Sequence, residues 1–404
     1  MNKRFFLYLF FGSVFATGCS LEKQKTDGLP FIDVGKTYPE KEISLTDIAE
    51  VTYLHLNADR EEYLYKGAIS NVTQNRIVVY DSSSGSVLFF SKEGAPVSRF
   101  NHYGQGPEEY INVQRIIYDE ENDDVFVCDD QLKDNKSRIL TYSSTGEYKR
   151  HFSLPYHAQI HSIVSFDDTS FFVNTIADVE VTPEWDGESD LIPSNYYTTF
   201  YQISKTDGAV LDSLQMRNNV AELIHRVNFN SYRMTIDAIH FSRIVKAADG
   251  FFLCNPESDT IFSFSKEKLL VPVFHKIPPV QSTKPKVVIQ NWLATGSYRF
   301  FNLFTIHQDF NPRNNGNPYY IFDTTTHDIY RQKIVLPDYQ GKTFTISPDQ
   351  KSNAFENNGT FIELELIELK EAFRANRLGG KLKELVATLN ESEDNNVFVL
   401  VYFK

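Results

Sequence analysis

A short unit that recurs at wide intervals constrains this chain more than any other feature. The run Ile77-Val78-Val79-Tyr80-Asp81 returns as Val125-Phe126-Val127-Cys128-Asp129, as Phe251-Phe252-Leu253-Cys254-Asn255 and as Tyr319-Tyr320-Ile321-Phe322-Asp323; residues 171–174 (FFVN) are a fainter copy. Each copy is a β-branched or aromatic run closed by Asp or Asn, the pattern of a strand that ends in a turn. A second unit follows most copies, at residues 87–94 (VLFFSKEG), 139–146 (ILTYSSTG), 200–208 (FYQISKTDG) and 261–266 (IFSFSK). These read as the next strand, with glycine supplying the positive φ of three of the four hairpin turns. A third element precedes the first, at residues 114–117 (QRII), 162–164 (SIV) and 242–245 (SRIV).

One unit is therefore three or four antiparallel strands. Stacking copies radially about an axis buries both faces of each, which a lone unit cannot do. Five clear units run from about residue 65 to 335, stretched by insertions near 178–197 and 215–238. Residues 43–56 (ISLTDIAEVTYLHL) and 396–403 (NVFVLVYF) also read as strand. Paired, these two ends would finish a sixth blade and close the ring. The expected fold is an all-β, six-bladed β-propeller over residues 41–404. A β-sandwich beside a helical domain would match the length but not the recurring Asp or Asn. Within 363–389 the pattern changes. Leu366, Leu369 and Phe373, then Leu382, Leu385 and Leu389, stand at helical spacing on either side of Gly379-Gly380. Two short amphipathic helices are expected there, inserted in the last blade.

The amino terminus reads as a targeting signal. Lys3 and Arg4 precede the apolar run of residues 5–16 (FFLYLFFGSVFA), which is too short to cross a membrane and suits a secretory signal. The run ends in Ala16-Thr17-Gly18-Cys19, which looks like a lipobox. Residues 1–18 are then a lipoprotein signal peptide, Cys19 the lipid-attachment site and 19–40 a flexible tether. Lipid is the expected membrane partner, in the cell envelope and at an outer membrane, facing either side. Loss of residues 1–18 removes two positive charges and no acid, taking the net charge from −13 to −15. Such a surface disfavours nucleic acid, which needs clustered Lys and Arg. Cys128 and Cys254 are the remaining cysteines, at equivalent places in different units, so no bridge between them is expected. No C-x-x-C, H-E-x-x-H, phosphate-binding glycine loop or G-x-S-x-G occurs. No catalytic residue, metal ligand or cofactor is therefore assigned.

The stretch Tyr103-Gly104-Gln105-Gly106-Pro107-Glu108-Glu109-Tyr110 carries a resemblance. It is similar to the G-x-G-P-x-E-Y signature of the six-bladed β-propeller lipoproteins of Bacteroidetes-type bacteria, themselves similar to NHL-repeat propellers. Glu108 stands where that pattern often has Gly. The resemblance covers roughly residues 41–404 and implies a fold and export, with no common reaction attached.

Two readings of that stretch stay open: an interblade crossover made inflexible by Gly104, Gly106 and Pro107, or a channel rim on which Glu109 and Tyr110 touch a ligand. Aligning the units also puts Arg115, Arg243 and Arg299 at one register on the inner strands, with His161 one residue earlier in its own unit. In an acidic chain, arginines converging on one axis would make a local site for carboxylate or sulfate groups; alternatively each braces a blade Asp. The expected function is a non-enzymatic binding protein that presents its channel mouth to a glycan, peptide, protein or anionic ligand. The alternative is a channel-sited, metal-dependent hydrolase or lyase of the lactonase-like propeller type.

Overall fold

The structure is a computed structural model. It describes residues 28–404 apart from 59, 132–135, 155–157, 178–196, 220–224, 231–232, 239–242, 307–317, 348–352, 356–358 and 392. Cys19 and the signal sequence lie outside the described residues.

Five sheets each contain four consecutive antiparallel strands and form the blades of a propeller. Blade one holds Gly67–Val72, Arg76–Asp81, Ser86–Ser91 and Pro96–Asn101, and blade two Val113–Asp119, Asp124–Gln131, Lys136–Tyr142 and Tyr148–Ser153. Blade three holds Ala158–Ser165, Ser170–Ala177, Tyr197–Ser204 and Val210–Arg217. A separate two-stranded hairpin, His225–Asn230 with Arg233–Ala238, follows it. Blade four holds Ile244–Ala247, Gly250–Leu253, Thr260–Ser265 and Leu270–Ile277, and blade five Lys286–Ala294, Tyr298–Ile306, Tyr319–Asp323 and Ile329–Val335.

The ring closes on a sixth sheet of three strands, in the order Gly359–Leu364, Val397–Phe403, Ala49–His55. The two ends of the chain pair in register from Val397 opposite His55 to Phe403 opposite Ala49, as the sequence led us to expect. Apolar clusters fill each gap between neighbouring sheets, including those on both sides of this closing sheet.

The expectation of a six-bladed propeller is thereby corrected to five four-stranded blades. Among the described residues the closing sheet has no inner strand, and residues 353–355, ahead of its first strand, bond across the ring instead. Phe355 bridges Val72 of blade one, Asn353 Nδ2 donates to the Ile244 carbonyl of blade four at 2.6 Å, and Lys246 N–H donates back to Asn353 Oδ1 at 2.9 Å. Residues 353–355 thus join inner strands on opposite sides of the ring.

The propeller also begins earlier than residue 41. Phe31–Asp33 lies parallel to the outer strand of blade four, and Glu40–Ser44 lies parallel to the outer strand of blade five. Both cover edges that would otherwise expose unpaired backbone groups. Tyr319–Asp323 is the third strand of blade five, not the second strand that its copies form in blades one, two and four. The expected helices are Leu366–Arg374 and Gly380–Thr388, burying Leu366, Leu369, Ala372, Leu382 and Val386. Gly380 sits at φ +49° against the Asp338 carboxylate, where a Cβ would clash.

Every blade starts its inner strand and ends its second strand at the same face, as in Gly67 opposite Asp81. This crossover face carries the interblade connections. The opposite hairpin face carries the turns between strands one and two and between strands three and four.

Candidate functional site at the crossover face

The Asp that closes the second strand latches the incoming crossover. Asp81 accepts the Lys66 N–H at 3.0 Å, and Asp129 accepts those of Ile111 at 2.9 Å and Asn112 at 2.8 Å. Lys66 and Asn112 each precede the inner strand of the same blade, so in blades one and two this Asp fixes where the blade begins.

In blade two this latch extends to residues 103–110. Arg138 pairs with Asp129 at 2.9 Å and donates to the carbonyls of Pro107 at 3.1 Å and of Glu109. Tyr142 Oη donates to the Glu108 carbonyl at 2.7 Å. Gly106 N–H donates to the Glu109 carboxylate at 2.8 Å, and a Cβ on Gly104 would run into that carboxylate. Tyr110 is fully buried, its hydroxyl donating to the Gly85 carbonyl at 2.7 Å, and burial pushes its phenol pKa up. Glu109 and Tyr110 are therefore parts of a crossover clasp.

The arginines also part company. Arg115 and Arg243 do share a register: Arg115 lies opposite Cys128, and Cys254 N–H donates to the Arg243 carbonyl at 3.0 Å. Yet Arg243 is fully buried between blades three and four. It pairs with the buried Glu257 at 3.0 Å, donates to Thr198 Oγ1 at 3.1 Å and to Asn255 Oδ1, and its backbone N–H donates to Ser162 Oγ at 3.2 Å. It braces the fold. Arg299 begins the second strand of blade five, at the hairpin face, where it donates to the carbonyls of Thr295 and, at 3.0 Å, of Tyr298. It does not join the others, because the inner strand of that blade is Lys286–Ala294. His161 is buried, on a bulge of the inner strand of blade three.

Arg299 lines a separate cleft of 310 Å³ with Phe252, Trp292 and His327, while Arg115 opens on the crossover face. Arg115 is half-buried and lines a cleft of 360 Å³ at the crossover end of the channel. The walls are the inner strands of blades one and two, from Gly67 to Ser70 and from Val113 to Ile116, with Tyr80, Ser82 and Phe361. Ser70 and Gln114 stand at inner-strand bulges, a device that re-aims side chains out of the ladder. Sequence reasoning missed both, since a bulge leaves no mark in the hydrophobic pattern; the register that singled out Arg115 was the nearest signal. Among the described residues, no three His, Cys, Asp or Glu side chains converge as metal ligands do. Cys128 and Cys254 are both buried and free, and burial raises the Cys128 thiol pKa to about 12.

The family described as "Domain of unknown function (DUF4934)" matches residues 29–402. No curated protein matches the chain. Among solved structures, a protein of Bacteroides fragilis NCTC 9343 described as exported is similar, at 17% identity and a TM-score of 0.60, over 93% of this chain and 99% of that one. A member of the duf4221 family from Bacteroides vulgatus ATCC 8482 is 11% identical with a TM-score of 0.41, over 88% of this chain and 97% of that one. The β-propeller domain of the Trilobed protease from Pyrococcus furiosus is 9% identical with a TM-score of 0.31, over 67% and 89%.

Proposed function

We propose, for a chain that belongs to the DUF4934 family, a non-enzymatic binding role: a lipid-anchored propeller of the cell envelope, attached through Cys19, that takes the acidic group of a glycan or peptide at its crossover-face mouth. The observation that carries this reading is the Arg115 cleft. Residues 353–355 bond across the ring to blades one and four, and the cleft holds a guanidinium in a chain of net charge −13. A fork of N–H donors suits carboxylate and sulfate, and Ser70, Gln114 and Tyr80 add neutral hydrogen-bonding groups around it.

Titration calorimetry with uronate-bearing and sulfated oligosaccharides tests the reading. Arg115→Ala should remove charge-assisted hydrogen bonds worth ~1.5–3 kcal/mol, weakening affinity by roughly ten- to a hundred-fold. Equal affinity of the variant and the parent for every anionic ligand that binds would overturn it. Turnover of a bound oligosaccharide would favour a hydrolase or lyase instead.

A further inference from the structure

We infer that the outer rim of blades three and four rests on the membrane surface, an inference that builds on lipid attachment at Cys19. The outermost strand of each blade starts just after the turn that follows strand three. At this equivalent place blade three exposes Val210 (38%) and Leu211 (54%), and blade four exposes Leu269 (64%) and Val271 (52%). Positions related by the ring's rotation point to the same face. Here they are also neighbours, because Lys268 of blade four pairs with Asp212 of blade three at 2.5 Å. Large exposed apolar side chains clustered on sheet edges mark a contact surface. That ion pair neutralises the central charges, so the contact is apolar and not polybasic.

The chain's own path identifies the occupant. Phe31–Asp33 runs parallel to Leu270–Ile277, with Phe31 opposite His275, and the Pro30 carbonyl accepts the His275 N–H at 3.1 Å. The residues before Phe31 therefore lead toward the beginning of that strand, where Leu269 and Val271 are. Phe31 is itself 44% exposed. Eight residues lie between Cys19 and Gly28, so nine peptide steps give a reach of at most ~32 Å. A lipid on Cys19 would thus hold this edge of the disc close to the bilayer, while Ile111 and the Arg115 cleft occupy the opposite face.

The test uses the lipidated protein in phosphatidylethanolamine–phosphatidylglycerol vesicles, with a donor dye on Leu269→Cys or on Ile111→Cys and an acceptor on the lipid headgroups. Cys128 and Cys254 are buried and take no label. Donor emission should be lost at position 269 and retained at 111. Equal emission at both sites, or loss at 111 alone, in a protein that floats with the vesicles overturns the inference and leaves the anchor intact. Energy transfer between copies labelled at 269 without acceptor lipid also overturns it, by making the rim an interface between copies. Failure to float refutes the anchor itself.

Discussion

Replacing Arg243 by Met separates bracing from binding. The guanidinium is buried with Glu257, 3.0 Å away, and also holds Thr198 and Asn255. Removing it strands a fully buried carboxylate, and breaking a buried pair from one side costs about 3–5 kcal/mol. With an unfolding entropy of about 2.1 cal/mol/K per residue, a domain of this length should lose roughly 4–7 °C in Tm. The companion change Glu257→Gln should restore part of that loss in the double variant, since no charge is then left without its counterpart. Scanning calorimetry on the two single variants and the double reads all three. An unchanged Tm for Arg243→Met, or a double variant no better than the sum of the singles, would refute the brace.

Other outcomes follow from the same structure. Deleting residues 396–404 removes the central strand of the closing sheet and should abolish a single cooperative melting transition, which circular dichroism would show. Burial lifts the Asp130 carboxyl to about 6 against an ordinary 3.8. The folded state then keeps a proton that the unfolded state releases, so this group's stability contribution is whole below pH ~4 and is lost as pH rises through 6. Asp130→Asn should therefore stabilise at pH 7 and change little at pH 4, measured by urea unfolding at both. Gly94→Ala places a Cβ against the His55 carbonyl at φ +89° and should lower Tm measurably in a thermal melt. Cys19→Ser should leave the protein out of the membrane fraction, and a variant that still pellets like the parent contradicts lipid anchoring.

The blades were legible because their punctuation has a physical job. Asp81 and Asp129 terminate a strand and also latch a crossover, so in blades one and two the residue marks where the blade begins. The same punctuation misled at Asp323. That carboxylate caps its own hairpin, accepting the N–H groups of Thr325 at 3.0 Å and Thr326 at 3.3 Å, and pairs with Lys41 at 3.1 Å, so it marks a third strand with the sequence of a second. The cross-ring bonding ahead of the closing sheet could not be read at all. Residues 353–355 bond to Val72, Ile244 and Lys246, partners some hundred or more positions away in sequence. At the site, register predicted the equivalence of Arg115 and Arg243 but not their different fates. Those turn on Glu257, two residues beyond Asn255, where blade two has Gln131 two residues beyond Asp129. Arg299 was misplaced because Arg299-Phe300-Phe301 copies the charge-then-apolar start of an inner strand, while the real one ends five residues earlier at Ala294.

The measurement that tests the binding account most directly is a crystal structure of the protein soaked with a uronate-bearing oligosaccharide. The account predicts intact sugar at the crossover face, its carboxylate on the Arg115 guanidinium, in the cleft between Gly67–Ser70, Val113–Ile116 and Phe361. Sugar bound at the hairpin face, or a cleaved product in the cleft, would contradict it.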